Sequence, residues 1–203
     1  METAIGWIFC LAILIFSIVL HEVAHGWIAL KFGDDSALFA GRLTLNPIPH
    51  LDLLGSVILP VLALSFGFPI IAWAKPVPVN FDRLSPQRLG TICVSLAGIA
   101  VNFGLAVIAG LLFRLEIVLP STFFGTLLFW VVYANLFLGV FNLLPIPPLD
   151  GWRLWGIWIP DDLRLRIEYN AVLFLFLFIL ILPYLPTLRL VKYLFTVITG
   201  LPL

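Results

Sequence analysis

The feature that most constrains this chain is a run of 33 residues, Ile117–Leu149, that contains no charged side chain. Four further charge-free runs lie at Thr3–Leu20, Ser56–Ala74, Leu89–Phe113 and Asn170–Leu188. A helix needs about 20 mostly apolar residues to cross the hydrocarbon core of a bilayer. Hydrophobic residues make up 62% of the chain and charged residues only 11%, so its polar side chains are too few to cover a water-soluble globule. The runs therefore predict an integral, multi-pass, all-α membrane protein with the lipid bilayer as a partner.

From these runs we expect about five to six membrane segments in a single domain over residues 1–203. The first segment continues through HEVAH to about Leu30 and ends near Gly33. The residues Gly41–Leu45, followed by an Asn-Pro pair, predict a short β element after the first helix, whose edge we expect to pair with an unwound substrate. Because the net charge is zero, the chain has no basic field that would hold nucleic acid.

The motif HEVAH contains two of the three histidines in the chain, His21 and His25. Residues i and i+4 lie on one face of a helix, so both imidazoles can point at one ion. Glu22 can hold a water beside that ion and act as general base, which is the arrangement of zinc peptidases. Ionisable residues at the inner end of an apolar helix are costly and usually functional. The alternative is a histidine pair in an interhelical hydrogen-bond network.

A third metal ligand is needed, because catalytic zinc normally takes three protein ligands and keeps one position open. Asp150 is the candidate, since it ends the longest charge-free run in the segment NLLPIPPLDG. The prolines in this segment break the helix and expose carbonyl groups, which a membrane tolerates only where protein or water covers them. An aspartate delivered by such a break suits a ligand that points inward. The alternative is an ordinary loop aspartate at the exit of a span.

With these motifs the chain strongly resembles the site-2 protease family of intramembrane zinc metalloproteases. HEVAH at 21–25 resembles the metal-binding helix of the family, NLLPIPPLDG at 142–151 its aspartate-containing signature, and SLAGIAVN at 95–102 its glycine-to-asparagine segment. GRLTLNPIPH at 41–50 and WAKPVPVN at 73–80 are similar to the compact, transmembrane-only prokaryotic members. We expect no PDZ or CBS module, because the remaining stretches are too short for one.

The resemblance implies zinc-dependent hydrolysis of peptide bonds in or near the transmembrane helices of single-span substrates, in a prokaryotic cell membrane. It implies one zinc per chain, and it gives these roles to the candidate residues: metal ligands His21, His25 and Asp150, general base Glu22, and substrate or oxyanion contacts Asn102 and Asn142. Two positions depart from the family pattern. Ile99 stands where proline is common and Trp152 where glycine is common, which could alter packing or access beside the site.

Several assignments have alternatives that the residues alone leave open. Asn102 lies in mid-span and could be interhelical glue, or it could donate to the oxyanion of a tetrahedral intermediate. Asn142 is ambiguous in the same way. His50 is a possible accessory residue, although a loop histidine near Asp52 is more often a structural hydrogen-bonding group. For the whole chain, the alternative function is a non-proteolytic metal-binding transporter or scaffold, and a further one is a family member that has lost activity.

The parity of the spans predicts how the chain threads the membrane. If one ion joins His21 and Asp150, the first and fourth helices run in the same direction. Since Leu89–Phe113 supplies one crossing, Ser56–Ala74 must supply none or two, and its Gly67 and Pro69 favour a re-entrant hairpin. The alternative is that this run crosses once and that the metal assignment is wrong. With the re-entrant hairpin, most of the lysine and arginine residues fall on the side of the membrane where the metal site lies. The positive-inside rule places that side near the cytosolic face.

Overall fold

The computed structural model describes residues 2–58, 61–62, 65 and 75–203. All the regular structure within these residues is helical, which confirms the all-α class. The chain divides into two compact units, Met1–Gly90 and Thr91–Leu203.

The first unit is organised around α1, which runs over Glu2–Lys31 and carries HEVAH in its last third. The helix ends because Gly33 adopts a positive φ of 99°, and the N–H of Asp34 then bonds back to the carbonyl of Ala29 at 3.0 Å. Glycine takes this left-handed conformation without the steric cost that a Cβ imposes. The predicted end near Gly33 is confirmed.

Short helical turns follow α1 in the first unit. They are α2 at Ser36–Phe39, a 3₁₀ turn at Ile48–His50, a π turn at Leu53–Ile58 and a 3₁₀ turn at Phe81–Arg83. The predicted re-entrant hairpin, Ser56–Ala74, falls mostly outside the residues that the structure describes. It therefore stays a prediction.

The prediction of a β element at Gly41–Leu45 is wrong. The described residues contain no strand, and this segment forms turns and irregular backbone. The N–H groups of Gly41 and Arg42 close the preceding helix by bonding to Leu38 and Ala37. Further along, the carbonyl of Thr44 bonds to the His50 ring at 2.9 Å. Backbone groups that a strand would offer to a neighbour are thus already used locally, and the expected edge for substrate pairing is absent from this segment.

The remaining helices belong mainly to the second unit. They are α3 at Gln87–Arg114, which begins in the last residues of the first unit, α4 at Phe123–Asn142, α5 at Asp150–Gly156, α6 at Asp161–Tyr169, α7 at Ala171–Ile181, a 3₁₀ turn at Leu182–Tyr184, and α8 at Thr187–Thr199. The start of α4 is capped by Thr122, whose hydroxyl oxygen accepts from the N–H of Gly125 at 3.0 Å.

Three helices of the described chain are long and apolar enough to cross a membrane: Ile8–Lys31, Gln87–Arg114 and Phe123–Asn142. The expected span at Asn170–Leu188 is not one long helix. Its helical part, α7, has 11 residues and is roughly 16 Å long, against a hydrocarbon core of about 30 Å. Pro183 and Pro186 follow it, and proline cannot donate the hydrogen bonds that would continue the helix.

The second unit has its own apolar core, formed by α3, α4 and α8. Its buried members are Ala106, Ala109, Phe113, Val132, Leu136, Val140, Val191 and Phe195. Large apolar side chains also cover the outer surfaces of helices in both units, and Phe16, Ile108 and Phe176 are each more than half exposed. Water would disfavour such surfaces, whereas lipid chains solvate them, so the chain is an integral membrane protein.

Candidate metal centre and catalytic residues

His21 and His25 lie side by side on α1, as their spacing predicts. Their Nε2 atoms are 3.0 Å apart, their rings meet edge to face at 81°, and both side chains are buried. Two nitrogens bound to one tetrahedral zinc at about 2.0–2.1 Å would be roughly 3.3 Å apart. The pair is therefore within a few tenths of an ångström of the separation that a shared ion requires.

Glu22 is held by the backbone of a distant segment. Its Oε2 accepts a hydrogen bond of 2.7 Å from the N–H of Val77, 55 residues along the chain. Its Oε1 makes no hydrogen bond with any residue that the structure describes. One carboxylate oxygen is thus anchored and the other is available for a proton, which suits a general base.

Close packing around Gly26 brings Val77 to the motif. A Cβ at Gly26 would lie 2.6 Å from Leu43 Cδ2, 2.9 Å from Ala37 Cβ and 3.0 Å from Val77 Cγ1. Only a residue without a side chain allows these three groups to approach α1 so closely. Gly26 therefore lets the segment that anchors Glu22 pack directly beside the histidines.

Asp150, in the second unit, is the first residue of α5 and is partly buried. The next residue must be glycine, because a Cβ at Gly151 would lie 2.3 Å from the carbonyl oxygen of Leu143. His21 and His25 in the first unit and Asp150 in the second carry side chains of the types that ligate metal ions. Two imidazole nitrogens and one carboxylate oxygen are a donor set that catalytic zinc uses, so the residues fit the ion.

Asn102 makes a contact that sequence reasoning missed. Its Nδ2 donates to Oδ1 of Asn135 at 2.8 Å, and the amide of Asn135 donates in turn to the carbonyl of Val131. Both asparagines are fully buried. This bond joins α3 to α4, as expected for an asparagine that holds two helices together, and it also fixes the orientation of the Asn102 amide. Asn142, the last residue of α4, donates to the carbonyl of Leu138 at 3.0 Å.

His50 takes part in the packing of the first unit. It is fully buried, its Nε2 bonds to the carbonyl of Thr44, and its own carbonyl accepts from the N–H of Lys75 at 2.8 Å. It does not belong to the donor set that could hold a metal. These contacts agree with the structural alternative for this residue.

Asp34 is a buried carboxylate just beyond α1. Its Oδ2 accepts from the N–H of Asn80 at 2.7 Å, and its Oδ1 accepts from the N–H and the hydroxyl of Ser36. Burial opposes ionisation, but these hydrogen bonds and the nearby Arg83 outweigh it and lower the pKa of Asp34 below its usual value. The ionised side chain therefore ties the end of α1 to the segment that carries Val77.

Comparison with known proteins gives consistent matches. The model of peptidase family M50 matches residues 116–182. A Bacillus subtilis protein named "Putative zinc metalloprotease YwhC" is 40% identical over 177 residues, which are 82% of this chain and 78% of that protein. "Putative zinc metalloprotease Rip2" of Mycobacterium tuberculosis H37Rv is 31% identical over 85% of this chain and 65% of its own length. "Putative zinc metalloprotease MJ0611" of Methanocaldococcus jannaschii is 34% identical over 67% and 63%, respectively. No solved structure matches significantly.

Proposed function

The chain belongs to peptidase family M50, and on that premise we propose that it hydrolyses peptide bonds in or near the transmembrane helices of membrane-protein substrates. His21, His25 and Asp150 bind one zinc ion in this proposal, and Glu22 is the general base. The observation that carries it is the geometry of α1, where two buried Nε2 atoms 3.0 Å apart adjoin a carboxylate with one anchored oxygen. Metal binding alone does not need that glutamate, so the family and the motif favour a protease over a transporter or scaffold.

The chemistry divides between the ion and Glu22. A bound zinc supplies Lewis acidity, which lowers the pKa of water toward neutrality and polarises the scissile carbonyl. Glu22 takes the proton of the attacking water on Oε1, because Oε2 is engaged by the Val77 N–H. It then delivers that proton to the leaving amine. Asn102 is proposed as an oxyanion donor, since its bond to Asn135 holds the amide in a fixed orientation before reaction. Asn142 is proposed to orient the substrate.

The substrates proposed here are single-span membrane proteins. The apolar outer faces of the long helices keep the enzyme within the bilayer, where such substrates are the available chains. A transmembrane helix hides its amides in internal hydrogen bonds, so it must unwind locally before hydrolysis.

The proposed orientation places the motif end of α1 toward the cytosol of a prokaryotic cell. The chain that follows the motif in the first unit carries the cations Lys31, Arg42, Lys75, Arg83 and Arg88. Cytoplasmic segments near membrane spans are enriched in lysine and arginine. Cysteines placed at exposed positions in residues 34–40 and 80–88 should both react with an impermeant reagent only from the cytosolic side. Labelling of either from outside intact cells would contradict this orientation.

The decisive experiment is Glu22→Gln, assayed on a single-span substrate in proteoliposomes. The amide keeps the size of the side chain and leaves the zinc ligands in place, but it cannot take the proton. Loss of a positioned general base typically costs about 10²–10⁴-fold. We expect that loss in kcat with zinc content unchanged, and the same substitution at the exposed Glu116 should leave kcat unaltered. Near-normal cleavage by Glu22→Gln would refute the protease mechanism.

The metal assignment is tested separately by measuring zinc in purified protein. Alanine at His21, His25 or Asp150 should abolish stoichiometric binding, because each change removes one of three ligands. Asp161→Ala is the control, since this aspartate is largely exposed and pairs only with Arg164 among the residues described. Full zinc occupancy in Asp150→Ala would remove Asp150 from the ligand set.

A further inference from the structure

One peptide group, between Pro76 and Val77, contacts two ionisable side chains. Its N–H donates to Glu22 Oε2 at 2.7 Å, and its carbonyl oxygen accepts from Nη2 of Arg42 at 3.3 Å. The same Nη2 also donates to the carbonyl of Lys75. A peptide group is planar, so an anchor on the oxygen also sets the direction of the N–H on the other side. Arg42 is thereby connected to Glu22 through a single rigid unit.

The location of Arg42 is costly for stability alone. Its side chain is only 6% exposed, its Nε makes no hydrogen bond with any described residue, and no carboxylate within the described ranges pairs with it. Burying a guanidinium without a counter-ion is unfavourable, and an orphaned buried donor adds to the cost. Both of its hydrogen bonds go to consecutive carbonyls of one extended segment. Arg42 therefore serves to position the segment that contains these two carbonyls.

The segment Lys75–Asn80 is fixed at its ends but depends on Arg42 near its centre. At one end the N–H of Lys75 bonds to the carbonyl of His50 at 2.8 Å, and at the other the N–H of Asn80 bonds to Asp34. Pro76 and Pro78 restrict the backbone and contribute no N–H. Between them the Val77 peptide can still rotate about its flanking bonds, and the described contact to its oxygen comes from Arg42.

We propose that Arg42 is a positioning residue for the general base, acting through the Pro76–Val77 peptide group. Its charge draws electron density toward the carbonyl oxygen and strengthens the N–H as a donor to Glu22. The carboxylate is then held in one rotamer, with Oε1 presented to the water. This inference rests on the proposed function of Glu22, and its test separates the two.

The first arm of the test measures kcat, KM and zinc content of Arg42→Gln and Arg42→Lys. Loss of a group that orients a catalytic residue typically costs about 10–100-fold. We expect that fall in kcat for Arg42→Gln, with KM within about threefold and zinc retained. Because one nitrogen of Arg42 makes both bonds, a lysine ammonium can replace part of its role, so Arg42→Lys should recover much of the loss. Arg83→Gln is the control, since Arg83 is half exposed and binds Asp35.

The second arm does not depend on activity. Amide hydrogen exchange at Val77 reports whether its N–H is bonded to Glu22, and Asn80 in the same segment serves as an internal reference. In Arg42→Gln we expect exchange at Val77 to become about fivefold faster or more, the effect of losing roughly one net hydrogen bond. Exchange at Asn80, which depends on Asp34, should stay unchanged. A general loosening of the unit would accelerate both.

The outcomes are distinguishable. One result would overturn this inference and leave the proposed function intact: wild type cleaves the substrate, Glu22→Gln does not, and Arg42→Gln has a normal kcat. Equal acceleration of exchange at Val77 and Asn80, or loss of zinc with no recovery by lysine, would also overturn it, since Arg42 would then be needed only for folding. Absence of cleavage by zinc-loaded wild type would refute the proposed function and this inference together.

Discussion

Gly26, the residue that follows HEVAH, offers the sharpest test of how the first unit holds its catalytic residues. In Gly26→Ala the new methyl group would lie 2.6 Å from Leu43 Cδ2 and 2.9 Å from Ala37 Cβ. The leucine terminus can rotate away, but Ala37 Cβ is one bond from the backbone of α2 and cannot. The third neighbour, Val77 Cγ1 at 3.0 Å, belongs to the residue whose N–H anchors Glu22. The methyl group must therefore move α2, Val77 or both.

The magnitude follows from two opposing effects. Overpacking of a close-packed site typically costs about 1–3 kcal/mol. Alanine regains up to about 1 kcal/mol over glycine within a helix. We expect a net destabilisation of up to about 2 kcal/mol, which corresponds to a fall in Tm of up to roughly 8 °C for a chain of this size. A shift of Val77 would also move the N–H that anchors Glu22, so we expect kcat to fall by about tenfold or more, the effect of a mispositioned catalytic group.

The assay is thermal unfolding in detergent, combined with cleavage in proteoliposomes. Gly104→Ala is the matched control, since among the described residues no heavy atom outside its chain neighbours and the adjoining backbone of its own helix lies within 4 Å of the position that its Cβ would take. That variant should keep or raise Tm and keep kcat. If Gly26→Ala is as stable and as active as Gly104→Ala, the close approach at Gly26 does not hold the segment in place, and the reasoning from packing to catalysis fails.

Two further substitutions test other contacts. Asp34→Ala should lower stability at neutral pH and flatten the dependence of stability on pH. Because folding lowers the pKa of Asp34, its stabilising contribution is present above the usual aspartate pKa and is lost as pH falls through the lowered pKa of the folded state. Thermal unfolding between pH 3 and 7 measures this contribution, and a pH profile like that of wild type would contradict the prediction. Asn102→Ala should lower kcat by about 10²–10³-fold, because it removes the amide that serves the oxyanion. Asn135→Ala keeps that amide but removes the bond that orients it, so its loss in kcat should be smaller; an unchanged kcat in Asn102→Ala would make the pair purely structural.

Periodicity and motif spacing predicted much of this molecule because they are local properties. The charge-free runs predicted where the three long helices lie, and Leu89–Phe113 matches its helix closely at both ends. Gly33 predicted where α1 stops. His21 and His25 lie on one face because any helix places i and i+4 together. The run at Asn170–Leu188 does not form one long helix, because its prolines end the short helix and a 3₁₀ turn follows.

The contacts that support Glu22 could not be predicted in this way, and the reason is physical. The donor to Glu22 is a main-chain N–H, which every residue except proline carries, so the residue type at position 77 does not indicate this hydrogen bond. The segment Gly41–Leu45 shows the converse case: its alternating pattern suits a strand, but a strand requires a partner, and turns and the His50 ring take its backbone groups instead. Arg42 lies inside this segment, and its partners are carbonyl groups 33 and 34 residues along the chain, which the local sequence does not identify. Side-chain chemistry can be inferred from residue types, whereas the backbone chemistry that orients it depends on tertiary contacts.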